Sequence, residues 1–464
     1  MNDADHAIAK EAERICNEMV MERPEESRRA LEWIHEEQVA REVMFDGRSV
    51  PTLLRPNFIS PGQERLLRRV TGVVMDCLEK VIETYFESDT LRDALHDVIR
   101  LSGLEREMVS IEPGIERCIV KSRLDAFMDG DNLKFLEFNC DSPAAVAYGH
   151  MQNEIFYQTF LVEALTEKYE LTWYNRSRMM FDALIQAYKE FGGREESPHI
   201  AITDWRDVKT IHEFRILKGD FEELGCPVTI IDPRDFELKG DRLLAGGEPV
   251  DIVYRRVIIR EVLEKAGEVG DFLEACRRRL VGVANSFRAK VVSNKSTLAV
   301  LTDRRFDHLF TDEQNEIKYR HIPWTRNFLP GKTDYKDKEV DVFELARGDK
   351  DSFILKPCDG YGGQGVCVGR SASAEEWEEM FNKAAEGGYV IQEYVDIPEE
   401  DFPIIDDVVD DEIRIEKRKV NLNPFAIGGH YGGCISRVSV SPIINVSAGG
   451  GMIPTFCIWP KEEG

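Results

Sequence analysis

No run of about 18 or more apolar residues occurs in the sequence, so it offers no membrane-spanning helix. The opening residues, MNDADHAIAKEAER, are polar and acidic. They have neither the basic start nor the apolar middle of a secretory signal, and a cytoplasmic protein is expected. Basic charge is scarce: 60 Lys and Arg stand against 86 Asp and Glu, a formal net charge of −26. A polyanion would be repelled, which argues against nucleic acid as the main partner. A single triphosphate differs, because it needs only a local pocket of lysines, amides and metal. The ten cysteines, at 16, 77, 118, 140, 226, 276, 358, 367, 434 and 457, form no CxxC pair. Neither a zinc site nor a disulfide framework is therefore expected, only reduced and mostly buried thiols. Also missing are a GxGxxG after a strand and a Walker loop ending in GK[ST].

What is present is a globular composition, 42% apolar and 31% charged. Residues 1–114 read mainly as helices. AIAKEAERICNEMVM and ERLLRRVTGVVMDCLEKVIETYF carry apolar residues at three- and four-residue spacing, and a helical cap over one side of the protein is expected. From 117 to 139 the pattern alternates and turns at Asp129-Gly130-Asp131, which predicts a β-hairpin. Period 2 puts Arg123 and Asp125 on one face of the first strand, and Glu137 and Asn139 on one face of the second. Residues 151–192 read as helix. HIAITDW, a helical stretch and PVTIID then form a strand–helix–strand unit, and DIVYRRVIIREVL a further strand entering a helix. The expected units are 1–114, 115–195, a small α/β lobe at 196–285, and 286–464.

Five segments carry residues suited to chemistry. Asp125, Glu137 and Asn139 offer the hard oxygen ligands that magnesium prefers; taken alone, such a hairpin face is also ordinary solvated structure. In FILKPCDGYGGQGVCVG, Lys356 ends an apolar strand, and Gly360, Gly362, Gly363 and Gly365 follow around Gln364. Such a loop lets the backbone lie against phosphate oxygens, or simply makes a flexible turn. In SNKSTL, Lys295 stands near a helix start, where anions are favoured, or is a surface lysine. In VIQEYVDIP, Gln392, Glu393 and Tyr394 end a strand able to present backbone groups to an adenine edge. Late in the chain, Arg437 suits a phosphoryl group gaining charge, or a buried structural role, and Asn445 follows it.

Together these segments resemble the ATP-grasp superfamily, and more narrowly its circularly permuted branch, which includes the synthetase domain of glutathionylspermidine synthase. In that branch an RxD strand is followed, twelve residues after the Asp, by ExN. Arg123-Leu124-Asp125 and Glu137-Phe138-Asn139 have that spacing. Asp141-Ser142-Pro143, Ser293-Asn294-Lys295, Lys356-Pro357, Gln392-Glu393, then Arg437 and Asn445 follow in the family's order. The resemblance covers roughly residues 115–460; the helical start has no match. It implies a mixed α+β and α/β fold, with two lobes around ATP, a small Rossmann-like lobe and one or two magnesium ions on Asp125, Glu137 and Asn139. It implies that Lys295, Lys356 and the glycine loop hold the phosphates, and that Arg123 and Arg437 stabilise the moving phosphoryl group. Asp141, Ser142 and Asn445 would lie toward the substrates. The region from Asp204 to Asp232 and the Tyr254-Arg255-Arg256 run would help shape an acid pocket. There Arg255 or Arg256 either grips a carboxylate or forms a structural salt bridge. The activity implied is ADP-forming ligation of a small-molecule acid to an amine. A phosphotransferase and a non-catalytic nucleotide-binding protein are the alternatives.

Overall fold

The computed structural model describes residues 3–360, 362–405, 413–442, 444 and 450–461, with side chains from residue 7 onward. Strands Lys121–Asp129 and Asn132–Asn139 form the hairpin, with Gly130 at φ +60 in the turn, a conformation glycine adopts without a Cβ penalty. The register pairs Arg123 with Asn139 and Asp125 with Glu137. A register shift directly after Asp125 bends the strand there, the kind of irregularity that re-aims a side chain.

The hairpin is one edge of an eight-stranded sheet. Beyond Lys121–Asp129 lie Arg414–Ile427, His430–Ser439, Gly451–Pro460 and Asn57–Ile59, in that order. Glu399–Ile404 also pairs with Arg414–Ile427, and Tyr169–Thr172 with Gly451–Pro460. The sheet corrects two expectations. The first hundred residues are not only a cap, because Asn57–Ile59 is a buried member of the main sheet, parallel to Gly451–Pro460. Residues 151–192 are not all helix: between helices Phe160–Thr166 and Arg176–Glu190, YELT buries Tyr169 and Leu171 in alternation and becomes a strand. Tertiary pairing overrides local helical context there.

Helix Pro61–Glu87 begins in a capping box, with Ser60 and Gln63 each bonding the other's backbone amide and Pro61 in the first turn. Its Leu67, Val70, Val74, Leu78 and Val81 recur at helical spacing and pack in one core with Leu124, Ala126 and Phe135 of the hairpin and Leu298 and Leu301 of helix Ser296–Thr302. Each Leu, Val or Phe among them contributes roughly 1.5–3 kcal/mol on burial. The core therefore clamps the outer face of the hairpin and leaves its inner face to the site.

The Rossmann-like unit is a parallel sheet in the order Gly282–Ala284, Ile252–Arg255, Ile200–Thr203, Val228–Ile231. The short apolar runs IAIT and VTII fit strands covered on both faces. Chain direction across the sheet reverses between Ile200–Thr203 and Ile252–Arg255. Such a switch point opens a crevice outside the carboxyl ends of the strands.

The last unit is an antiparallel sheet of Thr325–Asn327, Tyr389–Glu393, Phe353–Pro357 and Cys367–Val368. Trp377 and Phe381 of helix Ala374–Ala385 pack on Phe353, Leu355 and Ile391 beneath it. Among the described residues no helix is long and apolar enough to cross a membrane. The ten cysteines are free thiols, eight buried and Cys358 and Cys367 half-buried.

Candidate active site

One cavity of about 1080 Å³ lies between the hairpin, the last antiparallel sheet and the carboxyl ends of the parallel strands. Its hairpin wall presents Arg123, Asp125, Glu137 and Asn139. Asp125 is heavily partnered. Its Oδ2 accepts from Arg437 at 2.6 Å, and its Oδ1 accepts from Asn423 at 3.1 Å, Asn139 at 3.3 Å and Arg123 at 3.4 Å. Burial works against the charged carboxyl, but Arg437 and Arg123 outweigh it and hold Asp125 below its ordinary value. Arg437 is itself fixed by Asn423 and Asn421, at 2.7 Å each.

Opposite, Lys295 Nζ lies 3.0 Å from Glu137 and donates to the Gly360 carbonyl at 2.8 Å. Lys356 donates to Gln392 Oε1 at 2.6 Å. Burial pushes the Lys356 ammonium down to about 8, with Glu137 pulling up and Lys295 pushing down. Lys290 reaches the same wall, 3.0 Å from Asp359 and 3.1 Å from Glu105. Phe353–Pro357 and Cys367–Val368 are paired strands, so the segment between them is a hairpin loop overhanging the cavity. Gly362, Gly363 and Gly365 hold φ of +74, +75 and +71. Ile354, Val366, Val368 and Val395, with Phe127 and Leu136 of the hairpin, give this end apolar walls. Several cations, a carboxylate pair and an apolar slot in one recess suit a nucleotide triphosphate with a metal.

No protein-family model matches the chain. Over its whole length the chain is similar to the solved structure of a glutathione-synthetase-like effector from Globodera pallida, with a TM-score of 0.62, 11% identity, and 95% of this chain and 97% of that chain covered. A stretch of 166 residues is 28% identical to the ATP-grasp enzyme ankG of Aspergillus thermomutatus. The chain has the ATP-grasp fold. The match to ankG spans 32% of each chain, so this protein covers about a third of that relative's length. A putative gamma-glutamylcysteine synthetase from Methylobacillus flagellatus is a more distant structural likeness, with a TM-score of 0.40, 12% identity, and 85% and 88% coverage.

Within this ATP-grasp fold, Arg123, Asp125, Glu137, Asn139, Asp141, Ser142, Lys295, Lys356, Gly360, Gly362, Gly363, Gln364, Tyr394 and Arg437 come together around the cavity. Others do not line it. Gly365 supports the loop from behind: a Cβ there would stand 3.0 Å from Pro357 and 3.1 Å from the Tyr389 hydroxyl. Gln392 is fully buried, bridging Lys356 and Thr325. Its side chain positions the lysine. Glu393 points to Tyr335 at 3.1 Å and Lys336 at 3.4 Å. Arg255 takes the structural alternative: it is completely buried, ion-paired to Asp141 at 2.6 Å and bonded to the carbonyls of Val257 and Asn285. Asp141's second oxygen accepts from the Ile259 amide, so this aspartate ties the hairpin to the parallel sheet. It is Arg256 that reaches the cavity, bonded to Ser142 at 2.8 Å. Asn445 lies outside the described residues.

Sequence reading missed Lys290, Asn421 and Asn423, and named Asp204 only as one bound of the region expected to shape an acid pocket. The two asparagines had a visible signal, alternate polar residues in an otherwise apolar buried strand. Lys290 had none.

Proposed function

We propose that this protein is an ATP-dependent carboxylate–amine ligase of the circularly permuted ATP-grasp type, forming an amide by way of an acyl phosphate and releasing ADP and phosphate. The observation that carries this reading is a single cavity in which the cross-strand pair Asp125 and Glu137 faces Lys295, Lys356 and the glycine loop, and which continues to the switch point of a parallel sheet. The chain order supports the permuted type, since the carboxylate hairpin precedes the glycine loop.

The donor set fits magnesium. Two neighbouring carboxylates and an amide are hard oxygen ligands. Asn139's nitrogen is taken up by Asp125 and the Arg123 carbonyl, which leaves its oxygen for a cation. Asp125, Glu137 and Asn139 would hold the ion, whose contribution is to neutralise the phosphates. In this reading Lys295 and Lys356 bind the phosphates, and the loop from Gly360 to Gly365 closes over them and excludes water. Arg123 and Arg437 would stabilise the charge that grows on the moving phosphoryl group. An oxygen of the acid attacks the γ-phosphorus, the β–γ bridge breaks, and an acyl phosphate and ADP result. The amine nitrogen then attacks the acyl carbon, and the bond to phosphate breaks. The glutathione-synthetase-like name of the structural neighbour favours an amino acid or short peptide as the acid.

The test is a phosphate-release screen of acids, beginning with L-glutamate and glutathione, against glycine, spermidine and hydroxylamine, with mass spectrometry of products. ADP and phosphate with a new amide are expected. AMP and pyrophosphate would contradict the mechanism. A stable phosphorylated acid formed without amine would make the protein a phosphotransferase.

A further inference from the structure

Two aspartates stand at the carboxyl ends of adjacent parallel strands, in the same position and with opposite surroundings. Asp232, after Val228–Ile231, has both oxygens occupied: it accepts from the backbone of Arg234 and Arg206 and from the Arg234 guanidinium. These bonds overcome burial and hold it down at about 2. Asp204, after Ile200–Thr203, is 9% exposed and lines the cavity at the switch point. Its Oδ1 accepts the Trp205 amide at 2.8 Å. Among the described residues no group hydrogen-bonds its Oδ2, and Asp204 belongs to no ion pair. Arg256 could have neutralised it but is held elsewhere, on Ser142, on the Pro143 carbonyl and 3.6 Å from Glu213.

A secluded carboxylate with one free oxygen repels a substrate carboxylate or phosphate and attracts a cation. The ligase reading supplies a cation that must also give up protons, because an ammonium cannot attack until it loses one. We propose that Asp204 Oδ2 holds the ammonium group of the amine substrate and takes its proton. This rests on the proposed ligase activity. One proton passes from the ammonium to Asp204; the N–C bond forms and the C–O bond to phosphate breaks; the second proton leaves with the phosphate. The environment suits the task. Burial raises the Asp204 carboxyl to about 6, against the pull of Arg256, while Glu261 of helix Ile259–Glu264 adds to the rise and Arg255 opposes it. Tyr254 also faces it, and Arg206, Lys209, Arg234, Arg260 and Lys265 line the same cavity. A base titrating near the working pH is the efficient one.

The experiment uses the full chain, ATP, and L-glutamate or glutathione as acid, with spermidine or glycine compared against hydroxylamine, which is unprotonated at neutral pH and needs no base. In Asp204→Asn, amide formation with spermidine or glycine should fall by roughly 10²–10⁴-fold, while hydroxamate formation continues at the wild-type rate. The acidic limb of the kcat profile for amide formation should disappear. Asp204→Glu should keep part of the amide activity and its acidic limb. Equal loss of amide and hydroxamate in both variants, or retention of both activities in Asp204→Asn, overturns the role. If the wild type forms neither ADP nor hydroxamate with any acid, it is the ligase reading that fails.

Discussion

At the hairpin end of the cavity, Asp125 is surrounded by Arg123, Arg437, Asn139 and Asn423, which hold its carboxyl below the ordinary range. At the strand end, Asp204 has one backbone amide and is pushed up to about 6. The two carboxylates share a cavity, and their neighbours divide the labour. One is held toward its charged form, which would suit the metal-ligand role proposed for it. The other is left able to gain and lose a proton. Residue type sets what an aspartate can do; the second layer of contacts decides which of these it does.

The most severe way to break the hairpin end is Glu137→Gln. Outer contacts of metal ligands already cost 10–100-fold when removed, so loss of a ligand should lower ADP release by more than about 100-fold. The thermal midpoint should not fall, because Glu137 is only half-buried. Full turnover in this variant would remove the metal assignment.

Arg437→Met breaks the same end through stability. Removing one partner of a buried charge pair leaves the other uncompensated, and a loss of about 3 kcal/mol is expected in denaturant unfolding with EDTA present. The folded Asp125 carboxyl lies below the unfolded one. Its stabilisation is therefore present above the unfolded value and is lost as pH falls through the folded value. With Arg437 gone, the folded value rises and acid unfolding should begin at higher pH.

Asp204→Asn should act with the opposite sign. The unfolded carboxyl titrates near 3.9 and the folded one near 6. Between those values the folded state binds more protons, so this group's contribution to stability falls as pH rises through the window. The variant should gain about 1–2 kcal/mol at pH 8 and nothing at pH 4. A loss at pH 8 would mean that Asp204 has a partner after all.

The smallest effect is expected at the loop. Gly365→Ala places a side chain at φ +71 and close to Pro357. It should cost about 1 kcal/mol of local strain, read as a higher KM for ATP and a small fall in the unfolding midpoint. No change in KM would separate the loop from nucleotide binding.

Much of the hairpin end was legible in the sequence because it is local. The alternation of residues 117–139 and the Asp129-Gly130-Asp131 turn fix which residues face each other across two strands, and Asp125 opposes Glu137 as the spacing requires. The glycine loop was legible because a strand lysine and four glycines leave few backbone solutions. The strand–helix–strand unit was legible from its short apolar runs. Less was visible where packing competes with local preference. Tyr169–Thr172 became a strand because an edge was available to pair with, and Asn57–Ile59 entered the main sheet through a partner some four hundred residues later.

By itself, then, the sequence determined the presence of a carboxylate hairpin, a lysine-and-glycine loop and a small parallel sheet, since each is written in contiguous periodicity and turn chemistry. Only the tertiary structure decided how the charges are used. Arg437 meets Asp125 across 312 positions, and Arg255 is withdrawn to hold Asp141 across 114. Gln392 is buried beneath Lys356, while Asp204 is left with a free oxygen at a switch point that exists only once four strands are ordered. Charge, burial and hydrogen bonding act through space, and their distances are set by the fold and not by separation along the chain.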